Sequence, residues 1–384
     1  MPEMPERIGR YTVARRLGSG GMGEVFLAYS PAGAPVAVKL IRPDRLDPVT
    51  RARFEKEARV ARDVVGTRGV ARFLDADPYA DRPWIAMEYV AGRTLLEMVD
   101  GDGVLPELLV ASLGALLAEG LGAVHTAGLL HRDLKPQNVI LGEYGPVIID
   151  FGLAAFADTG QDTLSHSGMI VGTVRCMSPE QATGHPHVTS AADVYALGTV
   201  LLYAAAGHYP YDGSRWEAIV AQVSSPTQQP DLSGVPEPLL PLLTAMLAHE
   251  PVTRPTVAEV AEHCTALMKS LGVSPVSARR ALIARTTATA AGAAEAEVPT
   301  VEVEDRLRVL LTAPSPVSPL DAAVSSGDTG SPDEAIADEQ AADAPEAPAE
   351  ASPAKEPTPR RPKVPASERV AQELREAYAM QSTL

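Results

Sequence analysis

A chain of 384 residues with 45% hydrophobic content is long enough for two or three domains and for a large buried core. Its 49 acids against 33 bases leave a formal net charge of −16, which argues against a nucleic-acid binder, a class that presents a basic face. Met1–Arg7 carries no apolar stretch suited to a signal peptide, and no run of about 18 apolar residues suited to a membrane span occurs, so the expectation is a cytoplasmic protein without a membrane span.

In chain order, Tyr11–Leu17, Gly23–Tyr29 and Pro35–Ile41 read as three strands joined by tight turns. Between the first two lies Gly18-Ser19-Gly20-Gly21-Met22-Gly23, a G-x-G-x-x-G run. A dinucleotide site needs a helix to begin at the last glycines. Here Glu24-Val25-Phe26-Leu27-Ala28 continues as strand, which makes the run a hairpin flap whose backbone can approach phosphates closely. Lys39, in Val36-Ala37-Val38-Lys39, follows the flap by sixteen residues, and its ammonium could reach the α- and β-phosphates of a nucleotide. From Val49 to Val65 the period turns helical, with Phe54, Ala58, Ala61 and Val65 on one stripe. Glu57 on this helix could pair with Lys39, while Glu55 lies about 200° round it and should face water. Two further strands are expected near Arg72–Ala76 and Trp84–Tyr89, and helices over Glu107–Ala127, Ser190–Ala206, Trp216–Gln222, Glu237–Ala248 and Thr256–Lys269.

Between the first two of these helices lies His131-Arg132-Asp133-Leu134-Lys135-Pro136-Gln137-Asn138, then a short hairpin (Val139–Leu141 and Val147–Ile149), then Asp150-Phe151-Gly152. Asp133 could accept a proton from an incoming hydroxyl. Asn138, five residues on, and Asp150, seventeen on, could hold magnesium against a polyphosphate. An ammonium at Lys135 would stabilise charge developing on a transferred phosphoryl group. His131 and His125 read as packed, hydrogen-bonded core residues. Cys176 and Cys264 match no zinc or redox spacing and read as small buried hydrophobes of a reducing compartment.

The two motifs in this order resemble the catalytic loop and metal loop of protein kinases, and Asp-Leu-Lys-Pro-Gln-Asn is similar to the serine/threonine group. By these motifs residues 10–268 are identified as a bacterial eukaryotic-like (Hanks-type) serine/threonine protein kinase domain. The resemblance implies an α+β, two-lobed fold, with a small β-rich lobe before a larger helical one and the active cleft between them. It implies ATP with Mg2+, or Mn2+ in its place. It places Leu17, Val25 and Ala37 around the nucleotide, Met87 at its back, and the backbone of Glu88 and Val90 against adenine. It pairs Lys39 with Glu57 and Glu180 with Arg254, sets Asp193 under the catalytic loop, and brings Thr173 near Asp133 and Lys135. Residues 150–180 resemble an activation loop. Counting back from Thr173 gives Ser165 and Ser167 as autophosphorylated positions, with Thr163 and Thr159 as nearby alternatives, and Arg132 as the phosphate's partner. Ser178 stands where the family usually has alanine, and Cys176 where bacterial relatives more often have an aromatic. The implied partners are protein substrates with Ser/Thr acceptors and, as in relatives, a transient homodimer of the small lobe.

No aromatic residue occurs between Trp216 and Tyr378, and residues 321–356 carry ten acids against one base. Residues 269–384 therefore read as mostly disordered, with short helices over 301–311 and 367–380. Thr300, Ser315, Ser318 and Thr358 are acceptors through which the tail could recruit phosphothreonine-binding partners. Two other classes fit less well. A pseudokinase scaffold would lack Lys39, Asp133 or Asp150. A small-molecule phosphotransferase of the same fold would lack a Gly-Thr followed by Ser-Pro-Glu.

Overall fold

The computed structural model of the chain describes residues 4–20, 23–41, 69–150 and 174–287. The helix expected over 49–65 with Glu57, the flap residues Gly21 and Met22, the loop residues Ser165, Ser167 and Thr173, and the expected helices of the tail lie outside the described residues.

The first lobe is an antiparallel sheet of β1 (Arg7–Ile8), β2 (Tyr11–Gly20), β3 (Gly23–Tyr29), β4 (Pro35–Ile41), β5 (Phe73–Asp77) and β6 (Trp84–Glu88), in the order β1-β2-β3-β4-β6-β5. Alternation along β4 decides what the lobe presents. Val36, Val38 and Leu40 point into a core with Tyr11, Phe26 and Trp84, so Ala37 and Lys39 face the opposite side. The Tyr11 and Trp84 rings meet edge-on, 5.7 Å apart.

A second, three-stranded sheet follows the first lobe: β7 (Gly92–Thr94), β8 (Val139–Gly142) and β9 (Gly145–Ile148), in that order. Gly69–Ala71 docks along its edge, with Ile148 N–H donating to Gly69 O and Ala71 N–H to Ile148 O.

The second lobe is helical: α1 (Leu95–Asp102), α2 (Glu107–Thr126), α3 (Pro179–Ala182), α4 (Ser190–Ala206), α5 (Trp216–Val223), α6 (Leu240–Met246), α7 (Val257–Ser270) and α8 (Pro275–Thr287). Helix α2 is long and apolar enough to cross a membrane, yet 67% of its most apolar window is buried inside the protein, which makes it a core helix. It tolerates this crowding through two glycines. A Cβ on Gly114 would stand 2.8 Å from Cys264 Sγ of α7, and one on Gly120 would stand 3.1 Å from Gly69 O. Both cysteines are buried, as expected. Burial pushes the Cys264 thiol up to about 12 and that of Cys176 further, so neither is a ready thiolate.

Two expectations need correction. The single helix over Glu237–Ala248 is a 3-10 turn (Glu237–Leu239) followed by α6. Pro241 in the first turn of α6 has no N–H to continue an earlier ladder, so the helix starts afresh there. The folded part also does not stop at residue 268. Helix α7 ends in a Schellman motif. Gly272 adopts φ +74°, its N–H donates to Lys269 O, and Val273 N–H donates to Met268 O. Ser274 then caps a new helix by accepting from Ser277 N–H, with Pro275 in its first turn. Ala278, Leu282 and Thr286 of α8 are buried against the helical core. The stop and start signals stood in Gly272-Val273-Ser274-Pro275, but a helix with three arginines and no aromatic carries little amphipathic contrast.

Leu282 is 1% exposed, so Leu282→Ala should destabilise the chain by roughly 2–5 kcal/mol in denaturant unfolding. A loss under about 0.5 kcal/mol, the range of surface substitutions, would show that α8 is not part of the core.

Candidate active site

The catalytic loop leaves α2 and returns into β8, and its shape is imposed from below. Asp193 in the first turn of α4 is 1% exposed. Its Oδ2 accepts from the N–H of His131 at 2.8 Å and from His125 Nε2–H at 2.7 Å, and its Oδ1 accepts from Arg132 N–H at 2.8 Å. Burial alone would raise its pKa, but these donors outweigh burial and hold the carboxyl below the usual range. Arg132 adopts φ +63°, a left-handed conformation that costs a non-glycine residue about 1–2 kcal/mol. The charge-assisted bond from its own N–H offsets that cost.

His131 is fully buried. Its Nδ1 accepts from Asp133 N–H at 3.3 Å, so the ring proton sits on Nε2 and is donated to Ile149 O at 3.0 Å. One neutral ring thus ties the catalytic loop to the segment that carries Asp150. Burial pulls its pKa below the ordinary value despite the nearby carboxylates.

Asp133, Lys135 and Asn138 form one cluster. Lys135 Nζ donates to Asp133 Oδ2 at 2.7 Å. Asn138 Nδ2 donates to Asp133 O at 2.7 Å and reaches its Oδ2 at 3.4 Å. Because a carbonyl can only accept, the amide nitrogen must face Asp133, which leaves Asn138 Oδ1 as the face able to meet a cation. Asp150 also adopts a left-handed conformation, φ +60°. Lys39 Nζ donates to Asp150 Oδ2 at 2.8 Å, across 111 residues. Burial would raise the Asp150 pKa, but the Lys39 ammonium, together with that of Lys135, lowers it. The site therefore offers an ionised carboxylate and an amide oxygen, hard oxygen donors that fit magnesium.

The remaining expected positions fall as follows. Leu17 is exposed at the end of the flap, Val25 and Ala37 are half-buried on neighbouring strands, and Met87 packs against Ile41 and Ile85. The Glu88 carboxylate turns to Arg72, and Val90 sits two residues before β7. Arg254 and Glu180 make a bidentate pair at 2.7 and 2.9 Å, and the other guanidinium N–H groups go to the carbonyls of Ala248, Ala191 and His249. Glu57, Ser165, Ser167 and Thr173 lie outside the described residues. Sequence reasoning missed Gln181. Its amide donates to Arg132 O at 3.0 Å and its oxygen accepts from Ser178, so it tethers α3 to the catalytic loop. The capping-box spacing of Ser178 and Gln181 was the available signal.

The His131 ring should stay neutral below its ordinary pKa of 6.5. Its folded value is depressed, so it contributes stability that is complete above pH 6.5 and is lost as the pH falls through the folded value. An NMR titration of the ring checks this, and a midpoint at or above 6.5 contradicts it.

Residues 11–265 match the protein kinase domain family. The chain is similar to the probable serine/threonine-protein kinase PkwA of Thermomonospora curvata, 44% identical over 260 residues, which is 67% of this chain and 34% of that protein. It is 42% identical over 257 residues to the serine/threonine-protein kinase AfsK of Streptomyces coelicolor, 67% of this chain and 32% of that protein. The chain thus spans about a third of the length of these two relatives. It is 35% identical over 291 residues to PkaB of the same species, 71% of this chain and 67% of that protein. Among solved structures, the kinase domain of Mycobacterium tuberculosis PknI superposes with a TM-score of 0.55 at 29% identity, covering 69% of this chain and 98% of that one. The chain belongs to the protein kinase domain family, in its bacterial Hanks-type serine/threonine branch.

Proposed function

We propose that this chain transfers the γ-phosphoryl group of ATP to serine and threonine hydroxyls of proteins, its own activation segment included. The observation that carries the reading is the Asp133–Lys135–Asn138 cluster lying in one site with the Lys39–Asp150 pair. The family works with ATP and a divalent metal, and magnesium would supply charge neutralisation between the phosphates when bound. Asn138 and Asp150 would hold it. Lys39 would position the α- and β-phosphates. Asp133 would orient the acceptor hydroxyl and take its proton, and Lys135 would stabilise charge developing on the transferred group.

Ser165 and Ser167 are the proposed autophosphorylation sites, with Arg132 as partner, since a phosphate adds about −1.5 to −2 charges and a guanidinium binds it in a fork. Leu17, the glycines of the flap, Val25, Ala37, Met87 and the backbone of Glu88 and Val90 would enclose the nucleotide, and Glu57 would orient Lys39. The acidic tail would recruit phosphothreonine-binding partners, two small lobes would meet transiently, and the protein would act in the cytoplasm.

Asp133→Asn and Lys39→Met should each lower incorporation of labelled phosphate from magnesium-ATP by roughly 10²-fold or more. Near-normal turnover in Asp133→Asn, with contaminating kinase excluded, would overturn the assignment. Mass spectrometry of the active chain should map phosphate to Ser165 or Ser167. A fully active double alanine variant, with no phosphate between residues 158 and 168, would rule out that switch.

A further inference from the structure

The kinase-family match ends at residue 265, and α8 lies wholly beyond it. The helix packs on α2, α7 and the small sheet, against β8 and β9. Its buried stripe of Ala278, Leu282 and Thr286 is flanked by two arginines that reach out to the sheet's surroundings. Arg279 Nη2 donates to Tyr144 O, at the tip of the β8–β9 hairpin, at 2.6 Å. Arg285 Nη2 donates to Asp102 O at 2.9 Å, and its Nη1 lies 3.6 Å from the Asp102 carboxylate. That carboxylate also takes Arg93 Nη1 of β7 at 3.0 Å. Arg285 and Arg93 therefore grip one residue from two sides, joining α8 to the end of α1 and to the first strand of the sheet.

The sheet matters because of what its ends carry. Val90 stands two residues before β7, Asn138 directly before β8, and Asp150 two residues after β9. The groups of this lobe assigned above to adenine and to the metal are strung on these three strands. A strand moves with little internal deformation, so a shift of the hairpin tip or of β7 is passed to the groups at its ends. On the same reading the segment Val174–Ala182 would face the acceptor peptide, and it is built differently, against Tyr211 and α5.

We infer that α8 is a brace on the β7–β8–β9 sheet, and that Arg279 and Arg285 are positioning residues for nucleotide and metal binding, acting through Tyr144 and Asp102 without touching substrate. The inference rests on the phosphotransferase reading of the site. It separates two quantities that a merely structural helix would move together, the affinity for magnesium-ATP and the affinity for acceptor peptide.

The test compares the full chain with Arg279→Ala, Arg285→Ala and Arg285→Lys. Calorimetry gives the magnesium-ATP dissociation constant, steady-state kinetics give KM for ATP and for an acceptor peptide, and a melt gives Tm. Arg279 is half-buried, and Arg279→Ala removes one hydrogen bond, made to the exposed Tyr144, so it is the variant surest to fold. Both alanine variants should weaken magnesium-ATP binding and raise KM for ATP by about five-fold or more, the low end of coupling between sites, with KM for peptide unchanged. Arg285→Lys keeps a charge beside Asp102 and should recover most of the loss. Unchanged magnesium-ATP affinity in both alanine variants would overturn the inference while leaving the phosphotransferase reading intact. A fall in both affinities together, in step with Tm, would also overturn it, since that is destabilisation alone. An unaltered chain that fails to bind magnesium-ATP would overturn the phosphotransferase reading and the inference with it.

Discussion

A single buried carboxylate, Asp193, sets the conditions for the rest of the site. Taking a charge out of water costs several kcal/mol even in a real protein, and the cost is tolerable only when donors surround the charge. Here two backbone N–H groups and one imidazole supply them. The same bonds hold Arg132 left-handed, and that reversal of the chain turns Asp133 toward Lys135 and Asn138. An apolar residue at position 193 would take this partner from the N–H groups of His131 and Arg132 and leave nothing to offset the strain at Arg132. The order of causes runs from helix α4 to Asp193, to the loop, to the catalytic cluster.

A second anchor works on the far side of the loop. Arg254 satisfies all its N–H groups within the protein, two of them on Glu180, and stacks over Tyr195 with 5.0 Å between guanidinium and ring. Such a pair contributes little net stability once desolvation is counted, but it is costly to break and specific in geometry. It fixes the start of α3, and Gln181 on α3 carries that placement back to Arg132 O. The Arg132 loop and the Val174–Ala182 segment are therefore referenced to the same helices.

The two lobes are joined electrostatically by Lys39 and Asp150. Lys39 arrives there because β4 alternates, with its neighbours Val38 and Leu40 buried on the other face. Asp150 arrives because β9 is held between β8 and the docked Gly69–Ala71 segment. Both side chains are mostly shielded, 11% and 20% exposed, so their attraction is less screened than that of a surface pair.

The sequence alone determined what depends on neighbours in the chain. The period of two across Gly23–Tyr29 and Pro35–Ile41, the helical run from Ser190 to Ala206, the flap glycines and the spacing from Asp133 to Asn138 are short-range patterns, and backbone sterics and the solvation of apolar faces act at that range. The stop and start around Gly272 and Ser274 were equally local, and were outweighed only by the composition around them. What tertiary structure decided is contact between residues far apart in the chain: Asp193 with His131 across 62 positions, Arg254 with Glu180 across 74, Lys39 with Asp150 across 111 and Arg285 with Asp102 across 183. No local pattern says which buried charge meets which, because that is settled by how helices and sheets pack. Family resemblance could name the first two pairs without deriving them. The meeting of Lys39 with Asp150 and the docking of α8 followed only from packing, which places an ammonium beside a carboxylate and lays a weakly amphipathic, arginine-flanked helix on the sheet that carries the site.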